Sequence, residues 1–177
     1  MRSLLAATLS GLMLAGLGAA SAQAADAQTA TAVVKSGSGQ DLGTASLTEG
    51  PHGVLVRLEL RGLTPGWHGV HFHEKGDCST SDFKSAGAHV HTSASVVHGL
   101  LNPASNDRGD LPNVYAGLDG LAMAELFTPF VSISGSGGRP ALLDADGSAI
   151  VVHAAPDDHK SQPIGGAGAR SACGVVK

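Results

Sequence analysis

The chain has 177 residues and a formal net charge of −4, with only 15% charged and 3% aromatic side chains. This length fits one ordinary domain, and the acidic balance argues against a basic nucleic-acid-binding protein. Nine histidines stand out among so few charged residues, because histidine is the commonest metal ligand and titrates near neutral pH.

The first 24 residues have the pattern of a secretory signal peptide. Arg2 provides a positive start, an apolar run covers residues 4–18, and Ala22-Gln23-Ala24 is a small-x-small cleavage site. The apolar run is too short to span a bilayer comfortably. We therefore expect residues 1–24 to be removed and residues 25–177 to form one exported domain without a membrane span.

The remaining chain predicts β-structure. Between residues 53 and 63, apolar residues alternate with polar ones, the period-two pattern of a strand with one buried face. Only residues 140–144 suggest a helical turn. Because turn signals separate the short runs, the pattern favours an all-β, antiparallel sandwich or flattened barrel. The predicted strands are 29–34, 45–48, 53–63, 121–127, 131–134 and 148–152.

Two segments, 74–112 and 154–171, are long, glycine-rich and without periodicity. Such loops are uncommon in a compact domain unless they are functional or disordered. Cys78 lies in the first loop and Cys173 just beyond the second, and an even pair of cysteines in an exported chain favours one disulfide over a metal-bound thiol pair. Metal coordination would supply the further restraint that the first loop needs.

The histidines are concentrated in and near the first loop. His71 and His73 are two residues apart, so on a strand both imidazoles project from one face while Val70 and Phe72 face the core. This is a chelating geometry. Further histidines follow on the loop and after a distant apolar strand. These are His89, His91, His98 and His153.

Several motifs, in order across nearly all of the mature chain, resemble copper-zinc superoxide dismutase, and the bacterial exported branch is the most similar. The motifs are GWHGVHFHEKGDC at 66–78, SAGAH at 85–89, GDLPN at 109–113, VVH at 151–153 and GARSACGV at 168–175. The resemblance implies a Greek-key β-sandwich with two long functional loops, a periplasmic location, and superoxide as the substrate. It leaves monomer and homodimer both open.

The resemblance also implies the roles of individual residues. The implied copper ligands are His71, His73, His89 and His153, and His89 also bridges to zinc. His98 and Asp110 correspond to zinc ligands, and Asp157 to the aspartate that hydrogen-bonds ligand histidines of both sites. Arg170 corresponds to the arginine that guides and holds the anion beside copper. Cys78 and Cys173 correspond to the family disulfide.

The zinc site departs from the family pattern. Asp107 stands where the family usually has a histidine, three residues before Asp110. Because zinc accepts carboxylate oxygen, the preferred set is His89, His98, Asp107 and Asp110. Two alternatives stay open: His91 supplies the missing nitrogen, or the zinc site is empty and the enzyme uses copper alone.

Three interpretations concern residues outside this set. His68 lies on the opposite strand face from His71, so we expect it to pack and to hydrogen-bond main-chain groups. His159 lies in the second long loop, and the sequence does not decide its role. Trp67 and Tyr115 fit either the core or an interface. An exported copper or zinc carrier with the same fold is the alternative function, but a carrier has no need for the anion-guiding Arg170.

Overall fold

The computed structural model describes residues 27–177, so the predicted signal peptide lies outside the described residues. Within this range the chain is almost entirely strands and loops, with single turns of 3-10 helix at Lys84–Ala86 and Ser136–Gly138. The strands are β1 Thr29–Ser36, β2 Asp41–Gly50, β3 Gly53–Leu60, β4 Gly66–His68, β5 Val70–His73, β6 Val114–Ala116, β7 Ala122–Thr128, β8 Ala149–His153 and β9 Arg170–Val175.

Seven of these strands form one antiparallel sheet in the order β5-β8-β9-β1-β2-β3-β7, and β4 pairs with β6. The sheet curls into a half-barrel. Strands β1, β2 and β3 follow one another as hairpins, and β9 returns from far along the chain to pair with β1. A long connection that places a late strand beside the first is typical of Greek-key sheets. The predicted all-β, antiparallel class is confirmed.

The alternation predicted for residues 53–63 is present in β3. Val54, Val56, Leu58 and Leu60 are fully buried, whereas the residues between them face outward. Full burial of such a side chain stabilises the fold by about 1.5–3 kcal/mol relative to exposure. The strand ends at Leu60 rather than residue 63, because Gly62 takes a left-handed conformation (φ 78°) that turns the chain.

The prediction of a strand at 131–134 is wrong. Only Ser132 makes an isolated bridge, to Ala141, and the predicted helical turn at 140–144 is also absent. The Ser132 N–H donates to the Pro140 carbonyl oxygen at 3.0 Å, its carbonyl accepts from the Leu142 N–H at 2.8 Å, and a distant side chain adds further bonds. The Glu49 carboxylate accepts hydrogen bonds from the Ser132 hydroxyl and from the Ile133 N–H, and it pairs with Arg139 at 2.8 Å. The short irregular pairing and the distant carboxylate together satisfy the main chain without a regular strand.

The predicted disulfide between Cys78 and Cys173 is present, with a Cα–Cα distance of 5.8 Å. It fastens the first long loop to β9. Phe83 and Ala86 of the same loop are buried beside it against Ala149 and Val151 of β8, in a small apolar cluster separate from the main core. The loop is thus attached to the sheet by a covalent bond and by apolar packing.

Candidate metal centre

Two neighbouring strands carry three of the predicted copper ligands. His71 and His73 lie on β5, and His153 ends β8, which pairs with β5 in antiparallel register. The His153 N–H donates to the Gly69 carbonyl oxygen at 2.8 Å, so the end of β8 is fixed against the start of β5. The sheet therefore positions three buried imidazoles.

The first long loop brings the remaining ligands to the free edge of β5. The Phe72 N–H donates to the Gly109 carbonyl, and the Val90 N–H donates to the Phe72 carbonyl, at 2.8 and 2.9 Å. His73 and His89 face each other across an isolated bridge. A Cβ at Gly109 would meet the Phe72 carbonyl oxygen at 2.3 Å, so only glycine permits this approach.

The first cluster consists of four imidazoles whose available nitrogens lie within 4.8 Å of one another: His71, His73, His89 and His153. In each ring one nitrogen donates a hydrogen bond: His71 Nε2 to Asp157, His73 Nδ1 to the Gly87 carbonyl, His89 Nδ1 to Asp107, and His153 Nδ1 to the Gly168 carbonyl. The other nitrogen of each ring is buried without a hydrogen-bond partner. Four unpartnered imidazole nitrogens this close together suit copper(II), which favours imidazole nitrogen.

Burial keeps three of these rings neutral. It lowers the pKa of His71 to about 4, of His153 to about 3 and of His73 to about 2. Desolvation disfavours the charged imidazolium, and neighbouring histidines add to the effect at each ring. A neutral imidazole is the form that binds a metal, so at pH 7 these three ligands need not lose a proton first.

The second cluster contains the predicted zinc ligands. Asp107 Oδ2 lies 2.8 Å from His89 Nδ1 and 3.4 Å from His98 Nδ1, and Asp110 Oδ1 lies 3.4 and 2.7 Å from the same two nitrogens. Although they are close, His98 Nδ1 and Asp110 Oδ1 are not aligned for a hydrogen bond. Two nitrogens and two carboxylate oxygens at these separations fit a tetrahedral zinc ion.

His71 also lies within 4.8 Å of the ligand atoms of His89, His98 and Asp110. Its single unpaired nitrogen is Nδ1, which the first cluster already requires, because Nε2 donates to Asp157. One nitrogen lone pair serves one metal ion. Asp107 is therefore the better fourth member of the second cluster.

In the second cluster the pKa values of the histidines are raised, whereas those of His71, His73 and His153 in the first are lowered. Burial opposes the charged form of His98, but the close carboxylates of Asp107, Asp110 and Asp157 outweigh it and raise the pKa of His98 to about 11. The pKa of His89 is raised as well, for similar reasons. Contacts with these imidazoles hold the pKa of Asp107 well below its usual range, despite burial. The carboxylates therefore stay ionised at neutral pH.

Asp157 connects the two clusters. Its Oδ2 accepts from His71 Nε2 at 2.8 Å and its Oδ1 from His98 Nε2 at 3.0 Å. Asn113 holds Asp157 by its main chain: its Oδ1 accepts from the Asp157 N–H, and its Nδ2 donates to the Asp157 carbonyl. Such support fixes the tautomer and direction of a ligand ring. No local sequence pattern predicts this role of Asn113, since 44 residues separate the partners.

Arg170 begins β9 and is half-buried beside the first cluster. Its guanidinium donates to the carbonyl oxygens of Phe83 and Gly87, at 2.6 and 2.7 Å. The Gly87 carbonyl also accepts from His73 Nδ1, so one carbonyl group positions both the arginine and a predicted copper ligand. Both acceptors belong to the loop that the disulfide fastens to the sheet.

Four other histidines lie outside both clusters, and one of them, His52, is exposed in the turn between β2 and β3. His68 packs as expected, with its two ring nitrogens 2.7 Å from the His153 and Thr64 carbonyl oxygens. His91 donates from Nδ1 to the His89 carbonyl and faces Glu74 at 3.6 Å. His159 Nε2 lies 3.3 Å from Asn113 Nδ2, and its Nδ1 has no hydrogen-bond partner. The sequence alternative with His91 as a ligand thus has no support in this geometry.

The fold and the paired clusters define a class: an all-β metalloprotein with a four-imidazole site adjoining a mixed nitrogen and carboxylate site. The family model for copper/zinc superoxide dismutase matches residues 42–176. A copper-zinc superoxide dismutase of Caulobacter vibrioides is 73% identical over 147 residues, which cover 83% of this chain and 84% of the relative.

Solved structures of this family are similar to the chain as well. Cu/Zn superoxide dismutase from Brucella abortus has a TM-score of 0.68 at 28% identity and covers 85% of this chain and 100% of its own. A superoxide dismutase-like protein from Bacillus subtilis has a TM-score of 0.75 at 33% identity, over 82% and 96%. The chain belongs to the copper/zinc superoxide dismutase family. It is thus an oxidoreductase that acts on superoxide, with copper and zinc as cofactors. Among residues 27–177, no helix is long and apolar enough to cross a membrane.

Proposed function

We propose that the chain converts superoxide to dioxygen and hydrogen peroxide at a copper and zinc pair held by these two clusters. The proposed copper ligands are His71, His73, His89 and His153, and the proposed zinc ligands are His89, His98, Asp107 and Asp110. One observation carries the proposal: four buried imidazole nitrogens without hydrogen-bond partners converge beside a half-buried arginine. Unsatisfied buried polar atoms are costly, and a metal ion satisfies these.

Copper, when bound, supplies one-electron redox chemistry, so that two superoxide ions and two protons give one dioxygen and one hydrogen peroxide. Arg170 binds the anion. Its two terminal nitrogens are already held by loop carbonyl groups, so the planar cation is preorganised and loses little freedom when an oxygen anion arrives.

His89 belongs to both clusters and transfers a proton to the reduced substrate. Its Nδ1 faces the carboxylates Asp107 and Asp110, and its Nε2 faces the first cluster without a hydrogen-bond partner. The two carboxylates favour a protonated ring, and burial opposes it. A group under such opposed influences can take up a proton at Nε2 and deliver it to the reduced substrate.

The carrier alternative and the enzyme differ in what Arg170 does. Arg170→Ala should retain copper and lower kcat/KM about 10–100-fold, since a hydrogen bond to a charged group contributes about 1.5–3 kcal/mol. The salt dependence of kcat/KM should also become flatter. Arg170→Lys keeps the charge but lacks the planar guanidinium, and its kcat/KM should lie between those of the parent and Arg170→Ala. Fully copper-loaded protein without dismutase activity would overturn the proposal.

We further propose that residues 1–24 direct export to the periplasm and are removed, leaving 25–177 as the mature domain that protects the cell envelope. Bacterial relatives and the signal-like sequence support this. Mass spectrometry of the protein recovered from a periplasmic extract tests it: a mature N-terminus at residue 25 is expected, and a full-length protein in the cytoplasmic fraction would contradict it.

We also propose that two copies pair through an exposed apolar surface. Trp67 and Tyr115 face each other on β4 and β6 with ring centroids 5.2 Å apart, and both side chains are about half exposed. Met123 and Phe127 on β7 are exposed as well. Exposed aromatic surface of this kind marks interaction sites. Analytical ultracentrifugation should show a dimer that Trp67→Ser dissociates; a monomer at all concentrations would refute the pairing.

A further inference from the structure

The side chain of Gln162, in the second long loop, reaches the main chain of His98 in the first. Gln162 Oε1 accepts from the His98 N–H at 2.9 Å, and Nε2 donates to the His98 carbonyl oxygen at 2.8 Å and to the Lys160 carbonyl oxygen at 3.0 Å. Two carbonyl groups face one end of the carboxamide and an N–H faces the other, so a single orientation satisfies all three bonds.

The main chain of His98 depends on this contact. Within residues 27–177, neither its N–H nor its carbonyl oxygen has a main-chain hydrogen-bond partner. The only other hydrogen bond to these two groups is a longer one, of 3.3 Å, from Asn102 Nδ2 to the carbonyl oxygen. The residue belongs to no strand or helix. Its neighbours Val97 and Gly99 are held by bonds within the first loop, so Gln162 is the main partner of the polar main-chain groups of His98 itself.

The direction of the His98 ring follows from that backbone. Nε2 must reach Asp157 Oδ1, at 3.0 Å, while Nδ1 faces the oxygens of Asp107 and Asp110. Asp157 and Gln162 both belong to the second loop. One loop thus holds His98 at its N–H, at its carbonyl and at its outer ring nitrogen, and leaves only Nδ1 for a metal ion.

We propose that Gln162 is a positioning residue for the second metal, which fixes His98 by bonding both of its main-chain polar groups. This inference rests on the proposed zinc site. Partners of this kind, one step removed from the metal, change its affinity by roughly 10–100-fold when they are mutated. Gln162 is largely exposed, and water competes for its bonds, so we expect about a tenfold effect.

The test uses Gln162→Met, which keeps the length of the side chain and removes both hydrogen bonds. The matched control is Gln40→Met, a glutamine that is exposed in the β1–β2 turn. Copper-loaded, zinc-free protein is titrated with Zn²⁺ against a chromophoric chelator, and separately with Co²⁺ to record its d–d bands. We expect a zinc Kd about tenfold weaker and shifted cobalt bands for Gln162→Met, with the control and the copper spectrum unchanged.

The outcomes separate this inference from the zinc assignment. If the parent binds one zinc per chain and Gln162→Met binds it within twofold as tightly, with the same cobalt spectrum, the role of Gln162 is refuted and the zinc site stands. If the parent binds no zinc beside copper, the zinc site is refuted and the role of Gln162 with it. A loss of thermal stability in the zinc-free variant, with unchanged Kd and bands, would show a structural role only and would also refute the inference.

Discussion

Replacement of Asp107 by alanine tests the unusual member of the second cluster. Asp107 Oδ1 accepts from the Gly109 N–H at 2.9 Å, and this bond directs Oδ2 toward His89 Nδ1 and His98 Nδ1. The carboxylate is buried and ionised. The structure therefore presents one oxygen to the metal and holds it there before the metal arrives.

The size of the effect follows from the number of ligands. Structural zinc sites contribute about 10–16 kcal/mol, so one of four ligands accounts for about 2.5–4 kcal/mol. Since a water molecule replaces part of the lost coordination, we expect the lower end, which weakens the zinc Kd about 100-fold at about 1.4 kcal/mol per tenfold. Asp107→His, which introduces the usual family residue, should retain zinc.

The assay is metal analysis of the purified protein after dialysis against a competing chelator, with the zinc Kd measured by titration. His91→Ala is the matched control, because His91 is the alternative ligand from the sequence yet bonds only the His89 carbonyl and faces Glu74. It should bind zinc as the parent does. Zinc retained by Asp107→Ala but lost from His91→Ala would refute the reasoning.

Two further predictions concern stability. The Cys78–Cys173 bond closes a loop of 95 residues, so its replacement by two serines should lower the free energy of unfolding by up to about 4–5 kcal/mol in urea titrations; a loss below about 1 kcal/mol would contradict the entropic argument. The metal-free protein should be most stable near pH 6.5. Below that pH the unfolded chain binds more protons, because the folded pKa of His71 and His153 is lowered to about 4 and 3. Above it the folded chain binds more, because the pKa of His98 is raised to about 11. Stability rising steadily from pH 5 to pH 9 would refute this.

Local sequence patterns are sufficient to predict much of the fold. The alternation in β3 and the His71-x-His73 pair each depend only on the period of two of an extended chain, so each could be predicted without knowledge of the partners. The segment 131–134 was misassigned for the same reason. Its apolar residues are buried, but its hydrogen bonds go partly to residues 140–143 and partly to Glu49, more than 80 positions earlier, and no local pattern contains that partner.

The sequence by itself determined the types of ligand and the strand that bears two of them, because side-chain chemistry and strand periodicity are local properties. Only the tertiary structure decided which atoms meet. It placed Asp107 rather than His91 between two imidazoles, and it brought Asn113 to Asp157 and Gln162 to His98 across 44 and 64 residues. Contacts between two irregular loops depend on how each loop packs against the sheet, and this packing leaves no periodic signal in the chain.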